Sequence, residues 1–292
     1  MGFPMVLFLW VFGCFSASVI ANEKRVGGLE LHFYEHRCPN AEMTVKELTK
    51  TSMLTDPTTV ASLLRTAFHD CQVDGCDASI LLKDSPSSLT IEGWSEKNFG
   101  LRKFDLIHNI KSSLEEVRPY TSGAPFIEVS TRRRDSFSAS KERADHLLPT
   151  ANISVNEFVK FFQRHINISL EEAVALIGAH TLGIGHCRNF QERLRPVVDP
   201  TLSLQTIYSD PYLSDVAFAL NDDSVFIFDS QYFIDIQNGR GLLKIDSEIA
   251  RDPRTMPHVI RFGNDMQQFF NKFSSGFLTI AKCIFSDENI CH

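Results

Sequence analysis

The chain lacks an excess of basic residues. Its 292 residues include 29 Lys and Arg against 36 Asp and Glu, which gives a formal net charge of −7. Without a basic stripe, a protein that tracks the phosphate backbone of nucleic acids is not expected. Gly and Pro are scattered rather than concentrated in a linker, and the sequence has no internal repeat. With 43% hydrophobic residues, the composition is that of a globular chain with one domain or two packed lobes.

Long apolar runs are also scarce. The one candidate, Met5 to Phe15, is followed by the small residues Ser16 to Ala21. It is shorter than the roughly 20 residues that a membrane-spanning helix needs. We therefore predict a secretory signal at residues 1–21, cleaved before Asn22, with an uncleaved anchor as the alternative. No later segment is long and apolar enough to cross a membrane, so we expect no membrane association after cleavage.

The cysteines do not form CxxC pairs, which argues against a zinc site. An even six remain in a chain that starts at residue 22, and in a secreted protein such a number indicates disulfides. The sequons at Asn152 and Asn167 suit the same compartment. The six are Cys38, Cys71, Cys76, Cys187, Cys283 and Cys291.

Helical periodicity dominates the sequence and predicts a mainly α fold. Asn40 could cap a helix from Ala41 to Met53. A second helix should open at Asp56-Pro57, and Ser169 with Glu172 resembles a capping arrangement before Ala173 to Ile177. Strand candidates are short, such as Phe126 to Ser130. The other predicted helical segments are 104–117 and one or two helices within 253–280.

Arg65 and His69 begin the densest cluster of chemically useful residues. They are four residues apart on a predicted helix, so their side chains share one face. Such a pair suits peroxide chemistry, in which the imidazole moves a proton and the guanidinium stabilises the negative charge that develops. The alternative is a surface arginine beside a structural histidine.

Oxygen-bearing residues follow directly after His69. Calcium prefers six to eight oxygen ligands, carboxylates mixed with carbonyls, in a compact loop of this kind. An acidic turn clipped by a Cys71–Cys76 disulfide is the alternative. The candidate ligands are the side chains of Asp70, Asp77 and Ser79 and the carbonyls of Val73 and Gly75.

A second cluster, Gly178-Ala-His180-Thr-Leu-Gly183, lies at the end of a predicted helix. His180 could be an axial haem ligand through Nε2, if an acceptor for its Nδ1–H fixes the tautomer. A histidine packed in the core is the alternative.

Together these clusters resemble the secretory plant-type (class III) haem peroxidases over nearly all of the chain after the signal. The order and spacing of five segments carry the resemblance: RTAFHDCQVDGCDASILL, GAHTLGIGHC, FIFDSQYF, GRGLLKIDSEIARDPRT and FFNKFSSGF. It implies a two-lobed helical fold over 22–292 with haem b between distal and proximal helices. It also implies a secreted monomer, in the cell wall or the vacuole, that reduces hydrogen peroxide and oxidises small phenolic donors.

The resemblance assigns roles residue by residue. Arg65 and His69 match the distal pair, with Phe68 beside them, and Asn98 matches the asparagine that hydrogen-bonds the distal histidine, although its local spacing is shifted. His180 matches the proximal ligand and Asp246 its carboxylate partner. Pro149 matches the proline that borders the reducing-substrate channel. Two Ca²⁺ sites are implied, a distal one at the loop named above and a proximal one at Thr181, Ser224, Asp229 and either Asp222 or Asn221.

The sequence also departs from the family. Only Tyr-Thr-Ser-Gly-Ala stands between Pro119 and Pro125, where the family has a buried helix preceded by two cysteines. Cys38 and Cys187 thereby lack their usual partners, and Cys71–Cys76 is the one family disulfide clearly available. Losing a helix and disulfides lowers stability, since each disulfide contributes about 2–4 kcal/mol. The alternative to an active peroxidase is a non-catalytic secreted calcium-binding relative, or a truncated splice form unable to hold haem. A metal-dependent hydrolase is not indicated, because HExxH and paired-carboxylate motifs are missing.

Overall fold

A computed structural model describes residues 39–83, 91–116, 136–165, 167–202 and 218–282. It also gives the backbone of three short strand segments, residues 25–26, 29–30 and 207–208. The chain divides into two compact units. The first contains residues up to Leu148 together with those from Leu278 onward, and the second contains Pro149–Phe277.

In the residues that the structure describes, the first unit is helical apart from one two-stranded ribbon. Its ribbon pairs β1 (Arg25–Val26) antiparallel with β2 (Leu29–Glu30). Its helices are α1 (Ala41–Thr55), α2 (Thr59–Asp74), α3 (Phe104–Glu116) and α4 (Lys141–Leu147). Three short 3₁₀ turns lie at Ser79–Leu81, Glu92–Trp94 and Glu96–Asn98.

Helices α1 and α3 pack through apolar faces, which leaves α2 free to present polar side chains. Val45 of α1 and Ile107 and Ile110 of α3 are buried. On α2, Leu63, Leu64 and Ala67 are buried in the core. Helix α2 ends where Gly75 adopts a φ of 87°, a conformation that glycine reaches without steric cost. The chain therefore turns sharply just after the Arg65–His69 face.

The second unit carries most of the remaining helices. They are α5 (Val155–His165), α6 (Leu170–Ile177), α7 (Gln231–Gln237), α8 (Lys244–Ile249), α9 (Met256–Asn264) and α10 (Met266–Lys282), whose last turn extends beyond this unit. 3₁₀ turns follow at Gly178–Thr181 and Cys187–Arg193. A small antiparallel sheet has the order β3 (Ile184–His186), β5 (Phe218–Leu220), β4 (Ile207–Tyr208). Gly185 pairs with Ala219, and Ile207 pairs with the same residue from the other side.

Aromatic side chains fill the core of the second unit and fix the segment that carries His180. Phe233, Phe262 and Phe269 are fully buried and in mutual ring contact. A Cβ at Gly178 would come within 2.6 Å of Phe269 and 2.7 Å of Phe233. Only glycine fits there, so the end of α6 lies directly against the aromatic core.

The mainly helical fold predicted from the sequence is confirmed, as are the helices expected to begin at Ala41, Phe104 and near Pro253. Ser169 and Glu172 form the expected capping box at the start of α6. Asn40 lies at the predicted N-cap position, but the prediction that it caps the helix through its side chain was wrong. Helix α1 begins after it, but its side chain makes no cap hydrogen bond, and its Oδ1 is buried without a partner.

Several expectations fall outside the described residues: the signal at 1–21, the shortened segment at 119–125, the strand at Phe126 to Ser130, and Cys38, Cys283 and Cys291. Within the part of the chain that the structure describes, no helix has both the length and the apolarity to span a membrane.

Candidate active site

Arg65 and His69 lie one turn apart on α2 and contact each other. The Arg65 Nε–H donates to His69 Nε2 at 3.3 Å. Because a guanidinium can only donate, His69 Nε2 accepts and carries the lone pair. Nδ1 then carries the ring proton and donates to Asn98 Oδ1 at 2.6 Å. The two contacts together fix the neutral tautomer that leaves Nε2 basic.

Asn98 is held in the orientation that this tautomer needs. Its side chain is buried at the end of the Glu96–Asn98 turn, and its Nδ2 donates to the carbonyl of Glu92 at 2.7 Å. With the nitrogen committed to a carbonyl, the oxygen faces His69. The shift in local spacing seen in the sequence does not keep Asn98 from reaching the histidine.

Burial and charge both keep His69 neutral. Burial is the largest cause that lowers the pKa of His69, the Arg65 charge lowers it further, and the Asn98 bond opposes them, leaving a value of about 3. Burial also lowers the pKa of Arg65 to about 10, so its guanidinium stays charged at neutral pH. The pair therefore places a neutral base beside a permanent cation, an arrangement suited to taking a proton from one oxygen while stabilising charge on another.

The backbone on either side of Asn98 anchors the guanidinium. Arg65 Nη1 donates to the Phe99 carbonyl at 2.9 Å, and Nη2 donates to the Lys97 carbonyl at 3.1 Å. Lys97 in turn donates through Nζ to the carbonyls of Asp145 and Leu148. Sequence reasoning missed Lys97, because nothing local in the sequence indicates that its ammonium reaches residues some fifty positions away.

Phe68 lies next to the pair, as expected. Its ring meets that of His69 edge-on, with centroids 6.0 Å apart.

The end of α2 and the loop that follows it contain buried side-chain oxygens that accept no hydrogen bond. Asp70 and Ser79 are fully buried, and Asp70 Oδ1 and Ser79 Oγ have no hydrogen-bond partner. Burial and the neighbouring Asp77 raise the pKa of Asp70 well above its usual range. The Val73 carbonyl lies in the last turn of α2, where helix carbonyls have no intrahelical donor, and Gly75 follows at the αL cap. One carboxylate oxygen and one hydroxyl, both buried without a hydrogen-bond partner, fit a hard cation such as Ca²⁺, although Asp70 Oδ2 accepts the Ala78 N–H.

The expected Cys71–Cys76 disulfide is confirmed and spans this loop. Cys187, in the second unit, is free and buried, as its missing partner predicted.

His180 meets Asp246 in the second unit. The two residues are joined by a 2.9 Å contact between His180 Nδ1 and Asp246 Oδ1. The Asp246 side chain is 3% exposed, whereas that of His180 is 34% exposed. The carboxylate accepts the Nδ1 proton, which leaves the lone pair on Nε2 of a partly accessible ring. This donor fits a haem iron, for which a proximal histidine oriented by a carboxylate is a suitable ligand.

Asp246 has two further donors. Tyr232 donates its O–H to the same Oδ1 at 2.9 Å, and the Leu243 backbone N–H donates to Oδ2 at 2.7 Å. Burial and the charge of Asp246 raise the pKa of Tyr232 well above its usual range, so the phenol keeps its proton. Three donors therefore meet the Asp246 carboxylate: the His180 ring, the Tyr232 hydroxyl and the Leu243 backbone.

Arg193 anchors the loop that leads into Asp246. This arginine is only 5% exposed, and its Nη1 donates to the carbonyls of Gly241, Leu242 and Leu243 at 2.6–3.0 Å. Its Nε pairs with Asp199 at 2.9 Å. Sequence reasoning missed both Arg193 and Tyr232, since the carbonyls that Arg193 meets lie 48 to 50 residues away along the chain, and Asp246 lies 14 residues from Tyr232.

A second group of oxygens lies beside His180. Thr181 Oγ1 donates to Asp222 Oδ2 at 2.6 Å, and Ser224 Oγ donates to Asp229 Oδ1 at 2.9 Å. Burial, with the charges of Asp229 and Asp235, raises the pKa of Asp222 to about 6. Of the two positions considered for the remaining carboxylate, Asp222 lies in this group, whereas the Asn221 amide donates to the Leu182 carbonyl. Two carboxylates and two hydroxyls in one place fit the oxygen preference of Ca²⁺.

Among the described residues, no group of three or more His, Cys, Asp and Glu side chains could hold a metal ion. Each of the two oxygen clusters has two carboxylates, and its other candidate ligands are hydroxyls or carbonyls, donor types that Ca²⁺ accepts. Pro149 begins the second unit, and nothing in its surroundings tests its expected place at a substrate channel.

Comparisons with known proteins give one consistent picture. Residues 43–265 match the family model described as peroxidase. Peroxidase 29 of Arabidopsis thaliana is 39% identical over 284 residues, which cover 87% of this chain and 84% of the relative. Peroxidase 21 of the same plant is 34% identical over 86% of this chain and 84% of its own length. Peroxidase 28 is 35% identical over 84% of this chain and 85% of its own length.

Proposed function

Because this chain belongs to the peroxidase family, as the sequence motifs predicted, we propose that it is a secreted haem b peroxidase that oxidises small phenolic donors. Membership makes it an oxidoreductase and implies a haem cofactor, hydrogen peroxide as oxidant and a reductant as second substrate. The finer proposal names the haem type, the donor class, the ligands and the compartment.

The observation that carries the proposal is the His180 Nδ1–Asp246 Oδ1 contact of 2.9 Å. It supports His180 as a donor at Nδ1 whose Nε2 would bind the haem iron. The bound haem would supply the two electrons that peroxide takes up and recover them one at a time from two donor molecules.

The proton chemistry falls to the first unit. His69 Nε2 takes a proton from hydrogen peroxide and returns it to the oxygen that leaves as water, while Asn98 holds the opposite ring nitrogen in its protonated form. The Arg65 guanidinium stabilises the negative charge that develops as the O–O bond breaks. The Arg65 Nε–His69 Nε2 contact must open for this, since both groups then serve peroxide.

Two Ca²⁺ ions are the proposed partners of the oxygen clusters. Asp70 directly follows His69, so a cation bound to Asp70, Asp77 and Ser79 would fix the end of α2 that aims the pair. A cation bound to Thr181, Asp222, Ser224 and Asp229 would fix the residue after the proposed iron ligand in the same way. The buried oxygens without donors at the first cluster support this assignment.

The signal-like residues 1–21 and the disulfide support secretion to an extracellular site, the cell wall or the vacuole. The protein is also proposed to be a monomer, in which Pro149 borders the channel that admits aromatic reductants.

The absorption spectrum of purified protein tests it. Residues 22–292, produced with haem and calcium, should bind one haem per chain with a Soret band that changes within seconds of adding peroxide and returns on adding a phenol. A protein that binds calcium but no haem would contradict the proposal and would favour the non-catalytic relative. A band that peroxide leaves unchanged would contradict the roles given to Arg65 and His69.

A further inference from the structure

Tyr232 and His180 share one acceptor atom. Asp246 Oδ1 accepts the His180 Nδ1–H at 2.9 Å and the Tyr232 O–H at 2.9 Å. Tyr232 is 1% exposed, so water does not compete for its hydroxyl. The other carboxylate oxygen, Oδ2, accepts the Leu243 N–H. The His180 and Tyr232 hydrogen bonds therefore compete for the negative charge on Oδ1 alone.

The sharing has an electrostatic consequence. A phenol that donates to Oδ1 draws negative charge out of that oxygen. The carboxylate then attracts the His180 proton less strongly, and Nε2 becomes a weaker donor than a histidine with an undivided carboxylate partner.

We propose that Tyr232 is a positioning residue that acts through Asp246 to temper the electron donation of His180. The proposal rests on the proposed function, in which His180 binds the haem iron. A weaker donor stabilises the ferric state less, so Tyr232 raises the ferric/ferrous reduction potential. The carboxylate drives the potential down, and the phenol sets how far down.

Substituting Tyr232→Phe isolates the hydroxyl. The Tyr232 ring lies edge-on to His180 with centroids 5.8 Å apart, and edge-on to Phe233 at 5.1 Å. Phenylalanine keeps both contacts and removes one oxygen. In the haem-loaded protein we expect a more negative midpoint potential and a higher iron–histidine stretching frequency in the ferrous state, both signs of a more strongly donating imidazole. Unchanged values of both would overturn the proposal.

Two further variants separate the hydrogen bond from packing. Tyr232→Leu, which loses both ring and hydroxyl, should shift the potential in the same direction as Tyr232→Phe. A shift in the leucine variant alone would assign the effect to packing and overturn the proposal. In an Asp246→Asn background Tyr232→Phe should move the potential far less, because no carboxylate remains to be tempered. An undiminished shift there would show that Tyr232 does not act through Asp246.

Fluorinating the tyrosines tests the proposal in the opposite direction and keeps the shape of the Tyr232 side chain. Incorporating 3-fluorotyrosine makes the phenol a stronger donor, and the potential should then move in the positive direction, opposite to the phenylalanine variant. The same incorporation into Tyr232→Phe, which retains the other four tyrosines, should have no effect. A negative shift, or an equal shift in both proteins, would overturn the proposal. Failure of the proposed function would look different, since the wild-type chain would then hold no haem through His180.

Discussion

His69 and His180 make the same kind of hydrogen bond through Nδ1, but to different partners. Each ring donates its Nδ1–H to a side-chain oxygen, at 2.6 Å to Asn98 and at 2.9 Å to Asp246. The first acceptor is a neutral amide and the second a carboxylate. Arg65 contacts the far nitrogen of His69, whereas an edge-on tyrosine ring lies beside His180.

This difference decides what each histidine can do. Burial and the Arg65 charge lower the pKa of His69, and the bond to the neutral Asn98 amide opposes them only in part, so Nε2 stays available as a base. A carboxylate acceptor pulls on the Nδ1 proton and strengthens Nε2 as a metal ligand. In the proposed function, one residue type would serve proton transfer as His69 and metal binding as His180, and the charge of its partner would make the distinction.

The largest effects should come from removing the two rings. His180→Ala should abolish stable haem binding, because the carboxylate-oriented ligand is lost. His69→Ala should keep haem but slow the reaction with peroxide by about 100- to 10,000-fold, the usual contribution of a general acid–base group. Soret absorbance and stopped-flow spectra measure the two outcomes.

A matched control for the histidine variants is His108→Ala, since His108 is an exposed residue of α3 remote in sequence from either cluster. It should retain haem and peroxide reactivity. Full Soret absorbance in His180→Ala would exclude it as the ligand, and loss of haem in His69→Ala would show that the two rings do not divide their tasks as proposed.

Changing a partner rather than a ring should shift a pH profile. With its pKa near 3, His69 is neutral across the ordinary range, and peroxide reactivity should fall only as the pH drops toward that value. Asn98→Asp replaces the amide by a carboxylate, which favours the protonated ring and raises the pKa by about 1–3 units. The acid limb of the second-order rate constant should therefore move upward, into the range between pH 4 and 6.

Asn156→Asp is the control for added charge, because it introduces the same carboxylate at an exposed position in the first turn of α5. Its profile should match that of the wild type. An Asn98→Asp profile that also matches would mean that the partner's charge does not govern His69.

Short-range patterns predicted much of this arrangement. The spacing of Arg65 and His69, the capping box at Ser169 and the periodicity of 104–117 are all decided within a few turns of helix, so the sequence shows them directly. The His180–Asp246 pairing, 66 residues apart, became predictable only through the family resemblance.

Long-range polar contacts could not be predicted. Tyr232 is one aromatic residue in a segment rich in apolar residues, and nothing local indicates that its hydroxyl reaches Asp246. From the sequence alone, Arg193 and Lys97 are similarly expected to be exposed cations. In the structure they donate to backbone carbonyls of distant loops. Such partners depend on tertiary packing, which composition and periodicity do not encode.

Calcium bound beside His69 and beside His180 should stabilise the folded chain, with a smaller effect on activity than removal of either ring. A cation at 100 times its dissociation constant contributes about 2.7 kcal/mol per site, because it binds only the folded chain. Chelation should lower the melting temperature and slow the peroxide reaction. Asp70→Asn and Asp229→Asn should each reduce bound calcium, measured by elemental analysis, from two ions per chain to one.

Asp223→Asn serves as the calcium control, since Asp223 is largely exposed and pairs with Arg240. It should leave two ions bound. If chelation changes neither the melting temperature nor the peroxide rate, the oxygen clusters are acidic turns and not calcium sites.

The smallest effect on the peroxide reaction should come from the cations that anchor the partner-bearing loops. Arg193 is buried and its Nη1 bonds three carbonyls, so Arg193→Met should destabilise the fold by about 1–3 kcal/mol, the cost of leaving buried acceptors unsatisfied. Lys97 is only half-buried and bonds two carbonyls, so Lys97→Met should cost about 1–2 kcal/mol. Because the Lys97 carbonyl accepts from Arg65, the variant should also slow the peroxide reaction severalfold while leaving the haem spectrum unchanged. Lys50→Met, at an exposed position of α1, controls for the loss of a lysine and should change neither. A Lys97 variant with wild-type stability and peroxide rate would show that the loop holds Asn98 and Arg65 in place without its ammonium.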